Sequence, residues 1–338
     1  MNSGFLPLVS TGLRYGAGRN NLTIGDGDAL SGSQSQNAIV LGTNNQVNGL
    51  QDLSIIIGSS NTLHGTQAYA NGSLNAGNII IGNGTTMYGN TNVSASDGDM
   101  VLIGNKITVG TASSTFKYSG VAIGKSATVG TGVSLGAGAQ SSSGTAVGLG
   151  ASAGSSVAIG GAATANSSNS IALGNNSTDN SQTYAIGIHQ NGKPRAPSSL
   201  ALGGANSNGQ TLTMQVYNST SDATQTELFA WTSLSNRMVL IANSCWFFKA
   251  YAVAHRTDSK GDRMAWEYVG CIKRDATAAT TALIGAVTTV NTFNTGSLTW
   301  IITWDADTTN GALRARVTGE SAKTIQWHIR VDAIEVFG

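Results

Sequence analysis

The chain is sparing with charge, proline, cysteine and histidine. Its 338 residues hold 18 Lys and Arg, 17 Asp and Glu, three prolines, two cysteines and four histidines, for a net charge of +1. Nucleic acids and anionic membranes are recognised by clustered Lys and Arg, which this chain lacks, so neither is expected as a partner. No run approaches the ~20 apolar residues that span a bilayer, so no membrane insertion is expected. Residues 1–10 have no basic segment and only a short apolar stretch, which predicts synthesis in a cytoplasm without a signal peptide. Two cysteines, Cys245 and Cys271, are too few for a disulfide scaffold. They flank a predicted hairpin turning at 257–262. Pairing about that turn would set Cys271 near Phe248 and Cys245 near Arg274, roughly 7–8 Å or more apart, so reduced thiols are expected.

Glycine and aliphatic residues are plentiful but unevenly spread. Residues 1–204 hold 36 of the 44 glycines, no tryptophan and thirteen charged residues, whereas 205–338 hold all six tryptophans and 22 charged residues. A Gly-rich coil and a Trp-rich unit do not share a core, so a boundary is expected at 204–209. In the first part a short phrase returns twelve times: small or aliphatic residues, then Ile or Leu, then Gly. It ends at Gly25, Gly42, Gly58, Gly82, Gly104, Gly124, Gly136, Gly150, Gly160, Gly174, Gly187 and Gly203. The copies lie close between Gly124 and Gly203. Before Gly124 they are spread by polar insertions such as 62–76 and 85–99, which loop out of a stacked coil without disturbing the next rung.

Such repeats stack short strands into a solenoid. In Ser156-Val157-Ala158-Ile159-Gly160, strand alternation puts Val157 and Ile159 on one face and Ala158 on the other. The expectation is that the large pair fills the coil and that small middle residues (Ala122, Ser134, Ala158, Ala172, Ala185, Ala201) let a second surface approach. Ile56, Ile80 and Leu102 occupy that middle place in earlier copies, so both faces there are apolar and need covering. One thin coil buries too little alone, so self-association with three-fold closure, a homotrimer, is expected. Twelve rungs at ~4.8 Å would extend on the order of 55–60 Å.

The stretch SVAIGGAATANSSNSIALG at 156–174 resembles the head repeat of trimeric autotransporter adhesins, closely over 119–203 and loosely over 21–118. The resemblance implies a left-handed parallel β-roll with three chains side by side. No membrane-anchor barrel or coiled-coil stalk follows, and related repeats occur in phage fibres.

From Gln210 the grammar changes to antiparallel strands, expected at 211–217, 238–242, 245–255, 264–274, 282–290, 298–304, 312–318 and 324–336 with turns between them. That spacing predicts a β-sandwich, jelly-roll-like. Trp300, Ile302 and Trp304 should share an inner face, as should Leu313, Ala315 and Val317, and Ile325, Trp327, Ile329 and Val331. If 312–318 pairs with 324–336, Arg314, Arg316, His328 and Arg330 share one outer face with Gln326, a candidate patch for an anionic glycan or a partner. The ordered motifs NSCWFFKAYAVAHRTD (243–258), WEYVG (266–270), TALIG (281–285), ADTTNGAL (306–313) and VTGESAKTIQW (317–327) look like the C-terminal domain of many tailed-phage fibre proteins, over roughly 224–338. The resemblance implies a virion part, usually a fibre tip, and carries over no catalytic residue.

Little chemistry is written in the sequence. Asp26, Asp28, Asp97, Asp99, Asp305 and Asp307 sit in short acidic pairs that hint at calcium, but no EF-hand-type loop continues from them. The histidines (His64, His189, His255, His328) stand singly, without zinc spacing. A glycan-degrading tailspike needs two suitably separated carboxylates, and residues 100–204 hold one acid, Asp179. No metal, no cofactor and no enzymic activity are expected.

The sequence therefore reads as an all-β homotrimeric virion fibre: an attachment segment at 1–20, a trimeric β-roll shaft at 21–204 and a β-sandwich tip at 205–338. The expected function is adhesion of a tailed phage to its bacterial host; the alternative is a structural fibre that binds no receptor, as capsid decoration, collar or baseplate component. Receptor-contact candidates are Ser259, Lys260, Asp262, Arg263, Asn291, Asn294, Asp305, Asp307, Asn310, Arg314, Arg316, His328 and Arg330, chosen on loops 259–263, 288–297 and 305–310 and on the patch. Phe5, Leu6, Leu8 and Tyr15 are candidates for docking to other virion proteins. Partners expected at the other end are a host cell-surface glycan or protein.

Overall fold

A computed structural model of the chain describes residues 13–14, 22–25, 29–31, 39–48, 54–64, 78–88, 100–109, 120–203, 208–230, 236–296 and 298–338. They are all-β apart from one 3-10 turn, Ala278–Thr280. The chain divides into two compact units, Met1–Ala162 and Ala163–Gly338.

In the first unit a rung is a strand, a tight turn and a second short strand, as in Ile55–Ser59 followed by Thr62–His64, or Asn78–Asn83 followed by Thr86–Tyr88. First strands stack parallel and in register, Ile39 on Ile55 on Ile79 on Val101 on Val121. Second strands do the same, Val47 on Leu63 on Met87 on Val109. The core lies between these two sheets, from Val40, Ile56, Ile80 and Leu102 on one side and Val47, Leu63, Met87 and Val109 on the other. At the turn the chain approaches the next rung closely. Gly58 has φ +131°, and a Cβ there would overlap the carbonyl oxygen of Gly82, so only glycine fits. Buried Asn45 and Asn61 donate to the carbonyls of Gly58 (2.8 Å) and Gly82 (2.7 Å).

Two expectations are corrected here. The rung faces the other way from the sequence reading: Ala158 is fully buried inside the coil, while Val157 is half-buried and Ile159 is 42% exposed. The two-sheet interior is narrow, so the middle residue must face it, and it shrinks from Ile56, Ile80 and Leu102 to Ala122, Ala146 and Ala158 along the unit. The copies ending at Gly150 and Gly187, which begin at Val147 and Tyr184, are also out of register. Thr145, not Val147, is level with Val133 and Val157, which makes the step a constant 12 residues from Val121 to Val157. Ile186, not Tyr184, is level with Ile171. Each slip is two residues, which preserves the strand face and so leaves no trace in the alternation.

The second unit begins with parallel rungs, Ile171–Leu173, Ile186–Ile188 and Leu200–Gly203. Leu200–Gly203 then pairs antiparallel with the first of the ten sandwich strands among the described residues. These are β1 (Gly209–Thr220), β2 (Thr226–Glu227), β3 (Met238–Val239), β4 (Ser244–Arg256), β5 (Arg263–Arg274), β6 (Ala282–Leu283), β7 (Thr288–Asn294), β8 (Ile301–Asp307), β9 (Ala312–Thr318) and β10 (Ile325–Phe337). One sheet runs β1-β10-β4-β5-β7, with β6 also on β5; the other has β9 between β8 and the short β2 and β3. The expected inner faces are buried: Trp300, Ile302 and Trp304; Leu313, Ala315 and Val317; Ile325, Trp327, Ile329 and Val331. They meet Trp246, Phe248 and Trp266 in one core. β9 and β10 lie in different sheets, so the pairing across 318–323 does not form. Residues 288–294 are a strand along β5, not a loop.

Candidate receptor-binding faces

β4 and β5 form a long hairpin whose tip is held by ion pairs. Arg256 donates to both carboxylate oxygens of Asp258 (2.9 and 3.0 Å) and to Asp262 (3.2 Å). That bidentate contact holds the Asp258 carboxyl down at about 2. Lys323 reaches Glu320 (2.7 Å) and Asp262 (3.5 Å), and Thr324 N–H donates to Asp258. Thr295 Oγ1 accepts from Arg263 N–H at 3.0 Å. The 259–263 turn, residue 295 and the 320–324 turn are thus gathered at one end of the sandwich.

The 307–310 turn is at the other end. Asp307 caps it, accepting from the N–H groups of Thr309 (3.0 Å) and Asn310 (3.1 Å) and from the Asn310 amide (2.7 Å). Gly311 beyond it lies against Arg274, whose strand partner is Ser244 at the start of β4. The length of β4 separates the two ends by roughly 40 Å at about 3.3 Å per residue. The three loops expected to form one contact region therefore do not.

The outer face of the smaller sheet is an ion network. Asp305 receives Arg314 Nε at 2.6 Å and Arg316, and Arg237 bridges Glu227 and Asp307 at 3.1 Å each. Burial raises the Glu227 carboxyl, with Arg237 and Arg314 opposing. Burial also acts to raise Asp307, but its hydrogen bonds from Asn310 and Thr309 outweigh it and leave the carboxyl below its ordinary value. Asp305 and Asp307 are strand residues, not turn residues as expected. Arg314 and Arg316 face away from His328 and Arg330, because their strands belong to opposite sheets; the four-residue cationic patch is corrected accordingly. Both arginines are already paired with Asp305.

On the outer face of the larger sheet, Arg330 pairs with Asp332 at 3.0 Å and lies over the Tyr251 ring at 4.9 Å. His328 Nε2 is 3.3 Å from Gln215 Oε1. Asn291 donates to Glu267 at 2.7 Å, and Asn294 to the Leu298 carbonyl at 3.4 Å. Ser259 and Lys260 are exposed in the hairpin tip. The same face carries exposed Phe247, Val253, Phe293, Ile334 and Val336. Sequence reasoning placed Gln326 beside His328 but missed Tyr217 and His255 as their neighbours; strand register alone could have found them. It also mis-set the β4–β5 register by one. Cys245 faces Lys273 and Cys271 faces Phe247, so the two free thiols lie 3.5 Å apart rather than beyond 7 Å. Burial, then the Cys271 contact, pushes the Cys245 thiol up to about 11.

Phe5, Leu6, Leu8 and Tyr15, and the pairs Asp26/Asp28 and Asp97/Asp99, lie outside the described residues. Among the described residues no group of three or more His, Cys, Asp or Glu could hold a metal ion, and no helix is long and apolar enough to cross a membrane.

No protein-family model matches the chain, and no curated protein does. Solved structures give faint likenesses. A tailspike protein of Acinetobacter baumannii bacteriophage Fri1, described as a capsular polysaccharide depolymerase, aligns over 94% of this chain and 66% of its own at 8% identity and a TM-score of 0.25. The tailspike of Acinetobacter baumannii phage AM24 aligns over 90% and 57% at 7% identity and 0.22. That of Acinetobacter phage vB_ApiP_P1 aligns over 93% and 80% at 10% identity and 0.18. The chain spans less than two thirds of the first two. Likenesses this slight support no argument about this chain.

The expectation that the chain is not an enzyme is nevertheless corrected. The Fri1 protein, itself described as a capsular polysaccharide depolymerase, stands against that expectation as a likeness that assigns no activity to this chain, and the sequence premise fails on physical grounds. Scarcity of acids in the repeat says nothing of carboxylates that folding gathers from distant strands, as it gathers Glu227, Asp305 and Asp307.

Proposed function

We propose that the chain is a homotrimeric virion fibre of a tailed phage that attaches to the surface of a bacterial host. In this reading 1–20 attach to other virion proteins, 21–204 form the shaft and 205–338 meet the host. The observation that carries it is a ladder of outward-facing aliphatic side chains in the first unit. Leu41, Ile57, Ile81, Ile103, Ile123, Leu135, Val147 and Ile159 are stacked in register, and Ile57, Ile81, Ile123 and Ile159 are 37–42% exposed. A continuous apolar ridge of this kind is covered in a soluble protein by another surface. Sister chains present the same ridge at the same height, which suits closed symmetry. The ordered fibre-tip motifs of 224–338 support the virion assignment.

The test is adsorption of the labelled full chain to host cells, with competition against phage particles. Saturable binding that blocks infection is expected. Failure to bind, with the chain found buried among other virion proteins by electron microscopy, would leave a purely structural fibre. Assaying the same incubation for released reducing ends separates binding from cleavage.

A further inference from the structure

We propose that a groove on the outer face of the larger sheet binds an uncharged saccharide. The proposal rests on the host-attachment reading and names the site and ligand class within it. The groove, of about 530 Å³, lies near the hairpin end of the sandwich, over β1, β10 and β4. That volume falls in the range of small-ligand sites. Strand register builds its walls as two rows: Tyr217, His328 and Val253, then Ser219, Gln326 and His255. Asn218 and Trp327 complete the lining.

The chemistry of that lining selects the ligand. None of the eight residues is Asp, Glu, Lys or Arg, so an anionic sugar or a cation would meet no fixed counter-charge in the lining, and Arg263 and Arg330 stand only at its border. Hydroxyl, amide and imidazole groups recur instead, on neighbouring strands about 4.8 Å apart. They offer donors and acceptors in alternation, as a polyhydroxylated ring requires. Tyr217 and the 54% exposed Val253 add the apolar surface that covers a sugar's flat face. One polar atom is waiting for a partner: His255 Nδ1 is buried without a hydrogen bond among the described residues. Buried polar atoms are normally satisfied, so a lining residue of the groove carries an unmet hydrogen-bonding group.

The full chain would be applied to an array of neutral and uronic- or sialic-acid oligosaccharides, beside His255→Ala, Gln326→Ala, the groove-filling Ser219→Trp and the hairpin-tip variant Lys260→Ala. Neutral glycans should be retained, and the three groove variants should lose at least tenfold in retention, with unchanged melting and unchanged mass by light scattering. Lys260→Ala should bind as the parent does. Groove variants that bind normally, or binding confined to acidic sugars, would overturn the proposal while host attachment stands. So would a parent chain that adsorbs to cells but retains no glycan. A change of mass in the groove variants would overturn it in favour of a second copy seated on this face. Loss of cell adsorption by the parent itself would instead sink the attachment reading.

Discussion

Single residues decide whether the rungs can close. The carbonyl of Gly82 occupies the space a Cβ on Gly58 would need, and Gly82 stands in the same relation to Gly104. Backbone cannot move aside as a side chain can, and Gly82 also holds φ +153°. Gly82→Ala should therefore open the stack at that rung. The expected result is a cost of at least about 1–3 kcal/mol for the strained backbone and faster amide exchange across residues 78–88, read by mass spectrometry. A second residue-scale outcome concerns Cys245. With its thiol raised to about 11 by burial and by Cys271, the group stays protonated through pH 9, and thiolate is the reactive form. Iodoacetamide should leave Cys245 almost unlabelled at pH 8 and modify it as pH passes about 11, as peptide mapping would show.

Among the elements, β10 does most to hold the second unit. It pairs along its length with both β1 and β4, and its Glu335 is fully buried. Arg195, from the loop before Leu200–Gly203, reaches that carboxylate at 2.8 Å; Gln210 (2.6 Å) and Trp246 (3.0 Å) donate to it as well. The carboxylate thus ties the last rung to the sandwich. Removing one partner of a buried pair strands the other charge. Glu335→Ala should cost about 3–5 kcal/mol, a fall in Tm of roughly 10 °C for a unit of this size, measured by calorimetry. Replacing Arg195 and Glu335 together with apolar residues should still destabilise, because Gln210 and Trp246 would lose their acceptor.

For the whole molecule the question is what covers the outer ridge of the rungs. Ile57 and Ile81 lie level on adjacent rungs and face water in a single chain. Two aspartates there would repel each other within one coil by no more than about 1 kcal/mol, but between packed copies they would also lose their hydration, which costs far more. Ile57→Asp with Ile81→Asp should reduce the mass in light scattering from a multiple of the 34.4 kDa chain to that chain alone, with the circular dichroism of the strands retained. An unchanged mass, or a parent chain already monomeric, would remove the ridge as an assembly surface.

The sequence by itself determined the all-β class, the recurring glycine rungs, and the change of grammar near Gln210. Each of these is a local pattern: the two-residue alternation, the glycine at a close approach, the turn residues. It also picked out the inner faces of β8, β9 and β10, because large apolar residues on alternate positions leave little choice of side. Tertiary structure alone decided which face of a rung is inside, since Val157-Ala158-Ile159 is amphipathic either way until the width between the sheets is known. It decided the true copies at Thr145 and Ile186, since a slip of two residues keeps every side chain on its face. It placed Arg314 and Arg330 on opposite sheets, separated the hairpin tip from the 307–310 turn, and brought Tyr217 and His255 to Gln326 and His328. Those arrangements depend on pairing between segments up to about a hundred residues apart, and the energy of such pairing is absent from any short stretch of sequence.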